Sequence, residues 1–158
     1  MWRNSLRPDF LLRKLLHFYW RFARGLTVGV RAAVFDGAGR VLLVRHSYAP
    51  GWHLPGGGVE PGETLLAALA RELEEEGGVW IAGAPRLHGL FYNPGASRRD
   101  HVVVFVVREF KRDGSHRPTL EIREADFFSP DALPEGTTAG TRRRLDEILR
   151  GAKASAEW

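Results

Sequence analysis

Gly57–Val79, GGVEPGETLLAALARELEEEGGV, is the stretch from which the rest of the chain is read. Five glutamates fall between Glu63 and Glu76, among leucines spaced for one helical face. The spacing predicts a helix over residues 63–77. With Glu72 at the zero of a helical wheel, Glu76 lies near +40° and Glu75 near −60°, an arc of about 100°. Leu65, Leu66, Leu69 and Leu73 fill the adjoining arc and are expected to pack on a sheet, whereas Glu74 points to solvent. Like charges three and four apart weaken a bare helix, so this cluster needs compensation. Arg71 is one partner. A hard divalent cation, which prefers oxygen ligands, is another. An isolated run of three glutamates is usually a solvated face. The glycines ahead of it, Gly56, Gly57, Gly58 and Gly62, alter that balance because they permit close approach of backbone to a ligand.

Moving outward, Thr27–Phe35 (TVGVRAAVF) and Arg40–Arg45 (RVLLVR) read as strands around the turn Asp36-Gly37-Ala38-Gly39, and so as a hairpin. Beyond the helix, strands are expected at Pro85–Tyr92, His101–Phe110 and Leu120–Phe128. Asn93-Pro94-Gly95 starts a turn, and Lys111–Pro118 reads as a polar loop. A short helix is expected at Thr141–Arg150, and Gly151–Trp158 reads as a frayed tail. Strands on both sides of a central helix, with a second helix at the end, make the fold class α/β, a mixed sheet with helices packed on it.

The N-terminal segment differs from this body. Residues 9–24, DFLLRKLLHFYWRFAR, have amphipathic helical periodicity, with Asp9 as cap and Gly25 as stop. Residues 1–25 carry six basic side chains against Asp9, while the remaining 133 residues hold 17 basic and 18 acidic ones, so the excess of positive charge sits on this accessory helix. Its apolar face has three readings, in descending order: packing on its own domain, contact in a homodimer, or peripheral contact with an anionic membrane through residues 9–24. A near-neutral body argues against DNA as a partner. The chain has no cysteine, which excludes disulfides, thiolate metal sites and cysteine nucleophiles. No stretch reaches the ~20 apolar residues of a membrane span, and a cytoplasmic location is the expectation.

The stretch resembles the Nudix box, Gly-x5-Glu-x7-Arg-Glu-U-x-Glu-Glu-x-Gly-U, with U bulky and aliphatic. Gly57, Glu63, Arg71, Glu72, Leu73, Glu75, Glu76, Gly78 and Val79 meet all nine specified positions without a gap. Trp52–Gly56 and Glu124–Phe128 also resemble family segments. The resemblance covers residues 26–150, leaving 1–25 as the accessory helix and 151–158 as the tail. It implies a Nudix-type α/β/α sandwich with a mixed sheet. It further implies a pyrophosphohydrolase that uses Mg²⁺ or Mn²⁺ to cleave a nucleoside diphosphate linked to another moiety, a small-molecule nucleotide, by water attack on phosphorus. Carried over by position, the metal ligands are Glu72, Glu75, Glu76 and the Gly57 carbonyl. The catalytic residues are Glu63, Arg71 and Glu76, with Arg71 orienting a neighbouring glutamate and Glu63 supporting the site or helping to activate water. Glu63 and Glu76 are base candidates within the box, and Glu121 and Glu124 are candidates outside it. Trp52, Tyr48 and Tyr92 are candidates to stack on a base, and Arg45, Arg98 and Arg99 to meet phosphates. The alternative is a non-catalytic Nudix-fold nucleotide or RNA binding module, although such a module is expected to lose box glutamates that this chain retains.

Overall fold

The computed structural model describes residues 16, 18, 19, 23, 25–112, 114 and 118–158. The helix expected over residues 9–24 lies almost wholly outside the described residues. The described elements run β1 (Thr27–Val34), β2 (Val41–His46), α1 (Leu65–Gly77), β3 (Val79–Ile81), β4 (Arg86–Tyr92), β5 (Asp100–Val107), β6 (Phe110–Arg112), β7 (Ile122–Phe128), a 3₁₀ turn at Pro130–Ala132, and α2 (Ala139–Arg150). Among the described residues no helix is long and apolar enough to cross a membrane.

The central sheet has the order β1-β5-β4 and is mixed: β1 lies parallel to β5, with Thr27 opposite Asp100 and Val34 opposite Val107, and β4 is antiparallel to β5. Successive side chains of a strand point to opposite faces. Val30, Ala32 and Val34 therefore meet Ala68, Leu69 and Leu73 of α1 on one face. Ala33, Phe35, Val102 and Val104 meet Trp52, Leu54 and Leu145 of α2 on the other. The result is the expected α/β/α layering. Two short antiparallel pairs, β2-β7 and β3-β6, flank it.

Several expectations need correction. The turn at Asp36 forms, its carboxylate accepting from Ala38 N at 3.0 Å and Arg40 N at 2.8 Å. The hairpin it suggests is limited to one bridge, Phe35 to Val41. The C-terminal half of β1 and most of β2 are apolar on both faces, and each strand pairs with a distant partner, β5 and β7 respectively, that covers these residues. The helix begins at Leu65 rather than Glu63, because the Thr64 hydroxyl caps it by accepting from Ala67 N at 3.1 Å. Leu65 and Leu66 are exposed, and Ala68 takes the buried place. Residues 110–112, expected partly as loop, form β6 against β3, a strand that the sequence reading passed over.

The tail is not frayed. Tyr92 N donates to Ala156 O at 2.9 Å and Trp158 N donates to Tyr92 O at 2.8 Å, which lays the tail beside β4. Beneath it, Arg144 is fully buried, its guanidinium 3.8 Å from the Phe91 ring centroid. Arg144 donates to Glu147 Oε1 at 2.7 Å and to Glu157 O at 3.1 Å. Glu147 also accepts from Ser155 N at 3.1 Å and lies 2.9 Å from His88 Nε2. A buried charge persists only when paired and hydrogen-bonded, and the tail supplies part of that pairing.

Candidate active site

Residues 55–59 run antiparallel along the free edge of β1. Ala32 N donates to Pro55 O, Val30 N to Gly57 O, and Val59 N to Val28 O, each at 2.9 Å. The approach is close enough to assign different roles to three consecutive glycines. Gly56 has φ +137°, and a Cβ there would collide with Val30 O and the Arg31 Cα. At Gly57 a Cβ would collide with the Glu72 carboxylate, which is folded over the glycine. Gly58 has open space where its Cβ would be. The Gly57 carbonyl accepts from Val30 N and keeps its second lone pair.

Arg71 organises the first group of carboxylates. Its Nε and Nη2 donate to the two oxygens of Glu63, both at 3.0 Å, in a bidentate pair. Its Nη1 donates to Glu72 Oε1 at 2.7 Å, and Nη2 donates to Gly58 O at 3.1 Å. These hydrogen bonds from Arg71 hold the Glu63 carboxyl below the usual carboxylate range. Arg71 thus joins the loop before the helix, the glycine segment and the helix itself. Glu75 lies 3.5 Å from Arg71 Nη1, with its side chain 61% exposed.

Glu76 sits deeper. Its Oε2 accepts from Gly56 N at 2.7 Å, and its Oε1 is 3.6 Å from His46 Nδ1. His46 is buried with neither ring nitrogen hydrogen-bonded, between Tyr48 and His53. Burial, Arg31 and His53 push His46 down to about 4. Burial pushes Glu76 up to about 7, with Glu72 and Glu121 adding to the effect and the Gly56 N–H and Arg31 opposing it. The folded chain therefore holds a proton on Glu76 that the unfolded chain sheds above about 4.5. Stability from this group is full below that pH and is lost as pH rises through about 7. Glu76→Gln is expected to stabilise metal-free protein by on the order of 1–3 kcal/mol at pH 8, with the gain shrinking toward pH 5. Urea denaturation in chelator at the two pH values checks this, and a gain independent of pH would refute it.

A cleft of about 450 Å³ opens beside these groups. Gly56, Gly57, Gly58, Glu72 and Glu76 line one side, with Arg31, Tyr48, His53 and Glu121 nearby, and Thr27, Asn93, Asp100, Val102 and Trp158 line the rest. Glu63, Arg71 and Glu75 stand outside the lining. Of the base candidates beyond the helix, Glu121 reaches the cleft, whereas Glu124 pairs with Arg45 across β2-β7. Trp52 is buried against Phe128 and Tyr92 does not line the cleft, which leaves Tyr48 of the three aromatic candidates. Arg45, Arg98 and Arg99 are not in the lining; Arg31 is. Arg31, His46, His53 and Trp158 were not singled out as site residues from sequence. For Arg31, alternation on β1 was the one available signal, since it shares a face with Thr27 and Gly29.

The donor set suits a hard divalent cation. Glu72 is folded over Gly57 in a cradle that any Cβ would fill, Glu76 presents an oxygen beside it, and all the donors are oxygens. Among the described residues no three acidic or imidazole groups converge as they stand. Arg71 holds Glu72 and the exposed Glu75 must swing inward, so a cation would compete with Arg71 for Glu72.

Residues 25–148 match the NUDIX domain family. Diphosphoinositol polyphosphate phosphohydrolase 2 of Rattus norvegicus is 46% identical over 59% of this chain and 52% of its own length. The ADP-ribose pyrophosphatase of Methanocaldococcus jannaschii is 33% identical over 61% of this chain and 58% of its own. The chain thus spans little more than half the length of these two relatives. Among solved structures, the crystal structure of a MutT NUDIX hydrolase from Burkholderia pseudomallei superposes with a TM-score of 0.69 at 27% identity, covering 79% of this chain and 99% of that one.

Proposed function

The chain belongs to the Nudix family, as a pyrophosphohydrolase, and from that premise we propose that it hydrolyses the diphosphate of a nucleoside diphosphate linked to another moiety. The observation that carries this reading is that Glu72, folded over Gly57, and Glu76, which accepts from Gly56 N, both line one open cleft. Glu72, Glu75, Glu76 and the Gly57 carbonyl would hold Mg²⁺ or Mn²⁺, which when bound neutralises the diphosphate and acidifies water. Water attacks one phosphorus in line, and the bridging P–O bond breaks toward the other phosphate. The proton passes to a cleft carboxylate. Of the base candidates, Glu76 and Glu121 line the cleft. In this reading Glu63 and Arg71 are positioning residues, because both stand outside the cleft and act through Glu72.

The rat relative's name points to an inositol polyphosphate as another substrate class. The cleft lining disfavours it here. Among the described residues Arg31 and His53 are its basic ones, against the acidic Glu72, Glu76, Asp100 and Glu121. A ring bearing many phosphates needs a larger cationic complement.

The test is a phosphate-release screen with Mg²⁺ and with Mn²⁺. It spans nucleoside triphosphates, ADP-ribose, nucleotide sugars, dinucleoside polyphosphates, capped RNA and a diphosphoinositol polyphosphate. Turnover of one nucleoside class well above the rest is expected. Turnover confined to the inositol substrate would replace the substrate class, and absence of turnover with any of them would favour the binding module.

A further inference from the structure

Trp158 is half-buried and forms part of the cleft wall, although nothing in its surroundings in sequence marks it. It is not there by loose contact. Its backbone pairs with Tyr92, and its indole packs against Gly140 of α2 and edge-on to Phe91, with ring centroids 6.3 Å apart. The buried Arg144 lies 5.6 Å from the indole and holds the neighbouring Glu157 carbonyl. A side chain immobilised in this way loses little entropy when a ligand meets it.

The sheet order sets what it faces. The tail, β4, β5, β1 and the glycine segment lie side by side in that order. Four strand spacings place Trp158 on the order of 20 Å from Gly57. Among the described residues the cleft's basic side chains are Arg31, on β1, and His53, shortly before the glycine segment, and none is on β4, β5 or the tail. At the tail end Trp158 is joined by Val102 and Ala96 and by a hydrogen-bonded polar cluster. In that cluster both oxygens of Asp100 are occupied, by the Thr27 hydroxyl and Asn93 Nδ2, each at 2.8 Å. One end of the cleft carries the basic side chains of its described lining, and at the other the lining aromatic is Trp158, with Arg144 packed against the indole from within the fold.

We propose that Trp158 is the specificity-determining wall of this cleft, stacking on the nucleobase of the bound nucleotide, and that the Arg144–Glu147 clasp exists to hold it there. The proposal rests on the nucleotide reading above and deepens it. Three forms of the protein test it by calorimetry in Mg²⁺: the full chain as it stands, Trp158→Ala and Trp158→Phe. The probes are the α,β-methylene diphosphates of adenosine and guanosine, with methylenebisphosphonate as the probe that lacks a base.

Stacking on an aromatic side chain predicts that Trp158→Ala weakens the nucleoside probes by about tenfold or more. Trp158→Phe is expected to restore most of that loss, and the bisphosphonate should bind all three forms equally. Equal loss on all probes would assign Trp158 a purely structural role and overturn the proposal, as would undiminished nucleoside binding by Trp158→Ala. Failure of the unsubstituted protein to bind any probe would remove the nucleotide reading and the proposal together. Base-selective loss in a protein that hydrolyses nothing would leave the proposal standing and remove the hydrolase reading alone.

Discussion

Glu76→Gln and Glu75→Gln are each expected to lower Mg²⁺-dependent hydrolysis by at least about a thousandfold, since a divalent ion supplies several kcal/mol of charge stabilisation. Both proteins should remain folded, for different reasons. Glu75 is exposed, with its side chain 61% accessible, so its amide replaces nothing structural. Glu76 is buried, but a glutamine there still accepts from Gly56 N through its carbonyl oxygen and brings an amide N–H near His46, whose ring nitrogens lack partners. Steady-state rates, metal titration by calorimetry and a thermal melt separate the outcomes. Full activity in both variants would remove the ligand assignment. Lost activity with undiminished metal affinity would instead make Glu76 a proton acceptor only.

Gly56→Ala is expected to destabilise the fold by on the order of 3–5 kcal/mol. Its φ of +137° is strained for any L side chain, and the added methyl meets Val30 O and the Arg31 Cα, backbone atoms that cannot move without disturbing β1. A domain stabilised by about 5–15 kcal/mol loses a large share of its margin, and the melting temperature should fall by about 10 °C or more. Gly57→Ala meets only the movable end of Glu72, so its melt should shift by less while hydrolysis falls, because the carboxylate is pushed from its cradle. Gly58→Ala meets nothing and should stay within about 0.5 kcal/mol of the parent. Three melts and three rates decide this. A Gly56→Ala protein as stable as Gly58→Ala would refute the close packing of the glycine segment on β1.

These adjacent glycines show where local reading stops. The box spacing places Glu72, Glu75 and Glu76 on one arc, and the folded helix has that arc at the edge of its buried face, because 3.6 residues per turn is a local property. Thr64 as cap and Gly78 as stop are local too, and α1 ends within two residues of its expected bounds. The hairpin expectation failed for a non-local reason. Its turn has the right residues, but β1 buries more by joining β5, whose first residue lies 73 positions from Thr27. Pairing at that distance depends on what each face covers, and the strand's own letters do not record it.

By itself, the sequence determined the carboxylate helix, the mixed α/β class and the family, since each rests on spacing along one stretch of chain. Tertiary structure decided which of several identical letters matter. Glu76 is buried and Glu75 is not. Gly56 cannot carry a methyl group and Gly58 can. Among Arg142, Arg143 and Arg144, only the last is buried, and it clasps the tail that brings Trp158 into the cleft. Such differences arise from what packs against a residue across the fold, where burial changes the cost of a charge and close contact changes the cost of an atom.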